Sequence, residues 1–315
     1  MSKFSINNPA WLQMACVKIK KGQGISYIYS ESAMLGASGI SGVVTVEFLK
    51  NGIEKSETYN ISTSGAIQDV TMISIDADVD SNVVVIPNSD LLVAIGGSRE
   101  INCNNLTIGQ IVFAGSSDVN VINSHGMSCG LSDINNNINL TDSYFDIIDL
   151  GGTSTSSIVT VGTDAKKLNL SVLHNVTNID LSSFRSLEIF SDINCISMTE
   201  YDFSFCKQIQ KINLGANLNN LKKLNISGLS NLQYLLIEDL KHVEEVLYSG
   251  TNNVGTIQIY YPNEVLSNAL IDIINQSTIS NGTLYAKYPA YEYVDGIISA
   301  ATAKGWNVVE SHYPS

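Results

Sequence analysis

From Ser98 to Ile259 apolar positions recur about every eleven residues, a period short enough to mark a chain of stacked repeats. Each unit has a position 0, two variable residues, a position 3, one variable residue and a position 5. Units begin at Ser98, Ile108, Val119, Leu131, Phe145, Ser156, Ala165, Val176, Leu187, Met198, Ile209, Leu221, Leu232, Val243 and Val254. Position 3 reads Ile101, Ile111, Ile122, Ile134, Ile148, Val159, Leu168, Ile179, Phe190, Tyr201, Ile212, Leu224, Leu235, Val246 and Ile257, every one large and apolar. From Ala165 onward the starts lie 11 or 12 residues apart, whereas the earlier spacing is uneven. A unit of this length holds one strand of about five residues, at roughly 3.3 Å each, and a turn. Such a unit cannot bury its apolar side alone, so the pattern predicts a β-rich solenoid with two units, about 22 residues, per coil. Positions 0, 3 and 5 then face the core. In this register Lys222 and Lys223 stack beside Glu244 and Glu245.

The flanks obey other patterns. Residues 1–97 read as an N-terminal β-region, with strands expected at Leu12–Lys20, Ile25–Ser30, Val70–Ile75 and Val83–Ile86. Val43–Lys50 and Ile53–Ile61 flank Asn51-Gly52, a hairpin signal because both turn residues tolerate positive φ. The solenoid is expected over 98–262 and a small α/β cap over 263–315. Within the cap, helical spacing of Val265, Leu266, Ala269, Leu270 and Ile273 predicts a helix from Glu264 to Gln276. A strand at Thr283–Lys287, a helix from Glu292 to Lys304 ending at Gly305, and a strand at Trp306–Val309 complete it. Both flanks would close the exposed apolar ends of the repeat array.

The run Leu221-Lys-Lys-Leu224-Asn-Ile226-Ser-Gly-Leu-Ser-Asn-Leu232-Gln-Tyr-Leu235 resembles the alternating half-repeats of bacterial and phage leucine-rich-repeat surface proteins. The hairpin around Asn51-Gly52 is similar to the one that precedes the repeats in many members. The stretch ending Ala301-Thr-Ala-Lys-Gly-Trp306-Asn-Val is similar to their C-terminal cap. The resemblance spans about residues 43–310 and departs from the family in lacking its Trp-Gly-Asp-Gly hairpin turn. It implies a leucine-rich-repeat-like architecture and a surface or virion setting, and it implies no chemistry.

Charge and cysteine content narrow the setting. A formal net charge of −13 disfavours nucleic acid and anionic membranes as partners, since both attract basic surfaces. The five cysteines show no Cys-x-x-Cys pair and read as reduced, hence made in a cytoplasm. Neither an export signal nor a stretch apolar enough to insert in a membrane is evident, which suits a virion protein released by lysis.

Candidate chemistry is thin. Asp76-Ala-Asp78-Val-Asp80-Ser-Asn82 begins like a calcium loop, but its sixth and twelfth positions are Ser81 and Pro87 where the loop needs Gly and Glu. His125, His174, His242 and His312 lack metal-ligand spacing, and His125 with Cys129 lies in a Gly/Ser-rich stretch that reads as a turn. No catalytic residue, metal or cofactor is therefore expected.

The outward positions are more informative. On one face, formed by the units at Ser98, Val119, Phe145, Ala165, Leu187, Ile209, Leu232 and Val254, the second variable residue runs Glu100, Val121, Ile147, Lys167, Ile189, Lys211, Tyr234, Thr256. The other face runs Gln110, Asp133, Ile158, Asn178, Glu200, Lys223, Glu245, mostly polar. Ile189, Tyr234, Leu236 and Tyr260 are thus candidate interface residues, because apolar and aromatic side chains stand where water should be. The function expected is that of a noncatalytic phage virion protein of fibre or receptor-binding type, a homo-oligomer with a trimer foremost. Its partners would be other virion proteins or a host receptor, protein or glycan. The alternative is a bacterial cell-surface or secreted leucine-rich-repeat adhesion or binding protein.

Overall fold

The structure, a computed structural model, describes residues 2–6, 17–18, 24–28, 34–38, 42–50, 53–61, 81–82, 84–85, 92–96, 100–104, 107–114, 118–152, 154–287 and 293–311. Two compact units divide the chain, Met1–Thr163 and Asp164–Ser315. Both are β-rich with long parallel sheets, and helices are few.

In the first unit, strands Gly42–Lys50 and Ile53–Ile61 form the hairpin that Asn51-Gly52 predicts, with Lys50 opposite Ile53. Ser2–Ile6 adds to it antiparallel. Of the other strands expected before Ser98, the described residues place Val17–Lys18, Gly24–Ile28 and Val84–Val85 in strands. Val70–Ile75 lies outside the described residues, and the described strands that the pattern missed are Ser2–Ile6, Met34–Ser38, Ser81–Asn82 and Leu92–Gly96.

Two parallel sheets follow, and the chain alternates between them. One sets Glu100–Asn104, Asp118–Ile122, Asn137–Asn139 and Ser157–Val159 side by side, with Gly24–Ile28 antiparallel at its start. The other sets Leu92–Gly96, Thr107–Ala114, His125–Ser132 and Tyr144–Gly151 side by side, with Met34–Ser38 antiparallel at its start.

Here the expected phase is wrong. In-register partners are 18 to 20 residues apart, as Ile101 with Val119, Val119 with Ile138 and Ile138 with Ile158, rather than about 22. Two strands, His125–Ser132 and Asn137–Asn139, lie where the template allows one unit, so Val119 and Phe145 belong to different sheets. Val121, expected outward, is fully buried with Val119, while Ile122 is only half-buried. Val159, expected inward, is 39% exposed. Side chains alternate along a strand, so a one-residue slip exchanges the two faces.

The second unit is more regular. Asp164–Ser171, Ile189–Ile193, Lys211–Leu214, Tyr234–Asp239, Thr256–Tyr261, Thr283–Lys287 and Asn307–Ser311 pair parallel, in that order. Leu168, Phe190, Ile212, Leu235, Ile257 and Leu284 fall in one register column, and every one is fully buried. The first four pairings join residues 22 or 23 apart, as Lys167 with Ile189 and Lys211 with Tyr234. A small parallel sheet of Glu200–Asp202, Lys223–Asn225 and Glu245–Leu247 packs its buried Tyr201 and Leu224 toward this column, Tyr201 lying edge-on to Phe190 at 5.0 Å. Val246, on the small sheet's edge strand, is half-buried rather than enclosed.

Turns are tied across 23 or 24 residues. Asn220 Nδ2 donates to Ile196 O at 2.8 Å, Asn231 to Lys207 O at 3.0 Å and Asn253 to Ser230 O at 2.9 Å. These amides satisfy backbone carbonyls that no strand reaches. Helix α1, Glu264–Gln276, has the predicted bounds, and Asn263 caps it by accepting from Leu266 N–H at 2.9 Å. Helix α2, Val294–Ala303, is shorter than predicted, and Gly305 follows it at φ +84°. Trp306 donates its indole N–H to Ile279 O at 2.9 Å, and its ring lies against Gly282, where a Cβ would come within 2.6 Å of it.

Candidate functional site

The outward face of the long sheet in the second unit is built by the register itself. Leu236 pairs with Gln258, Gln258 with Tyr285 and Tyr285 with Val309, while Lys211 pairs with Tyr234 and Tyr234 with Thr256. Adjacent strands lie about 4.8 Å apart, which brings these side chains into contact range. Tyr234 Oη donates to Gln258 Oε1 at 3.1 Å, and Gln258 Nε2 donates to Tyr260 Oη at 2.6 Å. One amide thus fixes two phenols from different strands. Lys211 Nζ sits 4.6 Å from the centre of the Tyr234 ring, a cation–π contact. Partial burial raises the Tyr234 pKa, and the neighbouring Tyr260, Tyr285 and Glu238 push it the same way.

Three of the sequence-derived candidates, Tyr234, Leu236 and Tyr260, therefore share one patch, and all three are half-buried. Ile189, also half-buried, stands apart from it, because Lys211 intervenes in the register between Ile189 and Tyr234. Sequence reasoning missed Gln258, Tyr285 and Val309. Tyr285 is 40% and Val309 38% exposed. They follow the helical insertions, where the short period ends, so spacing gave no register for them. Strand alternation within Thr283–Lys287 was the only available signal.

The small sheet presents the contrasting polar surface. Lys222 Nζ lies 2.8 Å from Glu244 Oε1 and Lys223 Nζ 3.3 Å from Glu245 Oε2, the stacking that the register predicts. Asn178 Nδ2 donates to Glu200 Oε1 at 3.2 Å on the same side.

The other candidate chemistry separates. His125 is exposed and Cys129 fully buried, at two ends of a stretch of one strand, roughly 13 Å apart at extended spacing. Burial pushes the Cys129 and Cys195 thiols well up, and that of Cys206 up to about 12. Such thiols are poor nucleophiles. Among the described residues no group of His, Cys, Asp and Glu has metal-holding geometry, and no helix is long and apolar enough to cross a membrane. Residues 76–80 of the calcium-like run lie outside the described residues. Compared with family models, curated proteins and solved structures, the chain matches none.

Proposed function

We propose that this chain is a noncatalytic leucine-rich-repeat-like solenoid that binds through the tyrosine-rich outer face of its second unit. In the setting that the sequence resemblance implies, it serves as a phage virion subunit of fibre or receptor-binding type. The face is covered by another copy of the chain or by a virion partner. The solenoid reading draws support from parallel pairings 22 or 23 residues apart and from turn amides bonded across 23 or 24 residues.

The single observation that carries the binding role is the Tyr234–Gln258–Tyr260 network with Leu236 and Tyr285 beside it. Its phenols are held in place before any partner arrives, so little rotamer entropy remains to be lost on binding. Tyrosine is enriched at interface hot spots, and the paired strands offer neighbouring rings without backbone movement. The small sheet, by contrast, already pairs its charges internally.

A photo-crosslinking amino acid at position 236 of the full chain, compared with one at position 223, tests this reading. Inter-chain adducts are expected from position 236 and not from position 223. Adducts from position 223 alone would overturn it.

A further inference from the structure

Position 5 of the unit that starts at Leu187 is Asp192, and the structure places it inside the core. Its neighbours in register are Leu170 and Leu214, both fully buried, and Asp192 itself has no exposed surface. A carboxyl group therefore occupies a slot that the adjacent strands fill with leucine.

Its surroundings donate hydrogen bonds and bring no positive charge. Oδ1 accepts from Cys195 N–H at 3.1 Å, in the turn that follows Asp192's own strand. Oδ2 accepts from Tyr201 O–H at 2.5 Å, on the facing strand Glu200–Asp202. The flanking strands contribute Leu170 and Leu214. Phe190 and Phe203 pack around the Tyr201 ring, with centroids 5.0 and 5.7 Å away. The titratable groups facing the carboxyl are thus Tyr201 and Cys195, neither of which is cationic at ordinary pH. The Cys195 thiol adds a third hydrogen bond to the carboxyl. A buried carboxylate needs a cation or full hydrogen bonding to hold its charge, and these three donors, none of them charged, supply only part of that.

We propose that Asp192 is a buried proton switch: protonation of its carboxyl tightens the second unit, and loss of that proton as the pH rises loosens the core around Tyr201. This goes beyond the binding role and does not depend on it. Burial raises the Asp192 pKa above its usual value, and the hydrogen bonds from Cys195 and Tyr201 oppose the rise only partly. An aspartate in the unfolded chain titrates near about 3.9, so over the interval above that value the folded state binds the extra proton. Stability then rises as pH falls through the folded pKa. Most carboxylates act the other way, as Asp202 does, whose pKa is lowered although burial alone would raise it, chiefly by hydrogen bonding with Ser204.

The test compares urea-unfolding midpoints of the full chain and its Asp192→Asn variant from about pH 7.5 down to about pH 4.5. Asparagine keeps the shape and the oxygen facing Cys195 but cannot ionise. The variant is expected to be the more stable protein at the upper end, with the gap narrowing steadily as the wild type gains its proton. A gap that stays constant, or widens toward acid, overturns the proposal. Where the variant fails to fold, a carboxyl ¹³C titration of wild-type Asp192 decides: a midpoint above about 3.9 supports the switch, and one at or below it refutes it.

Discussion

Leu235 and Leu236 are chain neighbours with opposite fates. Leu235 is fully buried in the column between Ile212 and Ile257, whereas Leu236 is half-buried on the outer face. Leu235→Ala should cost about 2–5 kcal/mol through cavity formation, and Leu236→Ala less than about 1 kcal/mol, both read by urea unfolding. Equal losses would show that the strand presents its faces the other way. Val172 offers a gain instead. It holds φ 56°, while Asn194 and Asn217 hold φ 68° and 69° at turns later in the same unit. A β-branched residue in the left-handed region is strained by roughly 1–2 kcal/mol, and asparagine tolerates that region better. Val172→Asn should therefore raise stability by about 1 kcal/mol in the same assay, and a loss would contradict the strain. At this scale the sequence was legible wherever a buried apolar side chain filled the repeat position, as at Leu168, Phe190 and Leu235. It was opaque at Asp192, where an acid takes an inner slot and only the Tyr201 hydroxyl across the core explains how.

At the level of strands and helices, legibility followed the length of the repeat. In the second unit, as far as Thr256–Tyr261, each strand returns 22 or 23 residues later, close to the spacing of its apolar positions, so pairing could be read directly. In the first unit the return is 18 to 20, with polar residues such as Asn135-Asn136 between strands. A fixed period of about eleven then drifts by a residue and exchanges inside for outside, as at Val121 and Val159. Helix α1 was legible because its apolar spacing and its Asn263 cap agree. The register Glu200, Lys223, Glu245 gives a measurable consequence. Lys223→Glu sets three carboxylates in one row and should cost about 0.5 kcal/mol at low salt, since exposed pairs contribute little. Raising the salt should shrink that loss, because the side chains are solvated. A loss that is indifferent to salt would place its origin in packing.

For the molecule as a whole, the proposed binding role rests on the outer tyrosines and on the repeat geometry that gathers them, in a chain of net charge −13. Three of the four candidate interface residues lie together because strand neighbours lie side by side, a consequence of register that the spacing after Ala165 already contained. Tyr285 and Val309 complete that surface from beyond the helices, where no period could reach them. The account turns on this face being covered by a partner in the working assembly. Light scattering on the full chain and on the Tyr234→Asp, Leu236→Asp double variant measures it most directly. The wild type is expected at a multiple of the chain mass, with a trimer foremost, and the double variant at the mass of one chain with its circular dichroism unchanged. The same multiple of the chain mass for both proteins, or a wild-type monomer that also fails to bind a virion or cell partner through this face, would contradict the account.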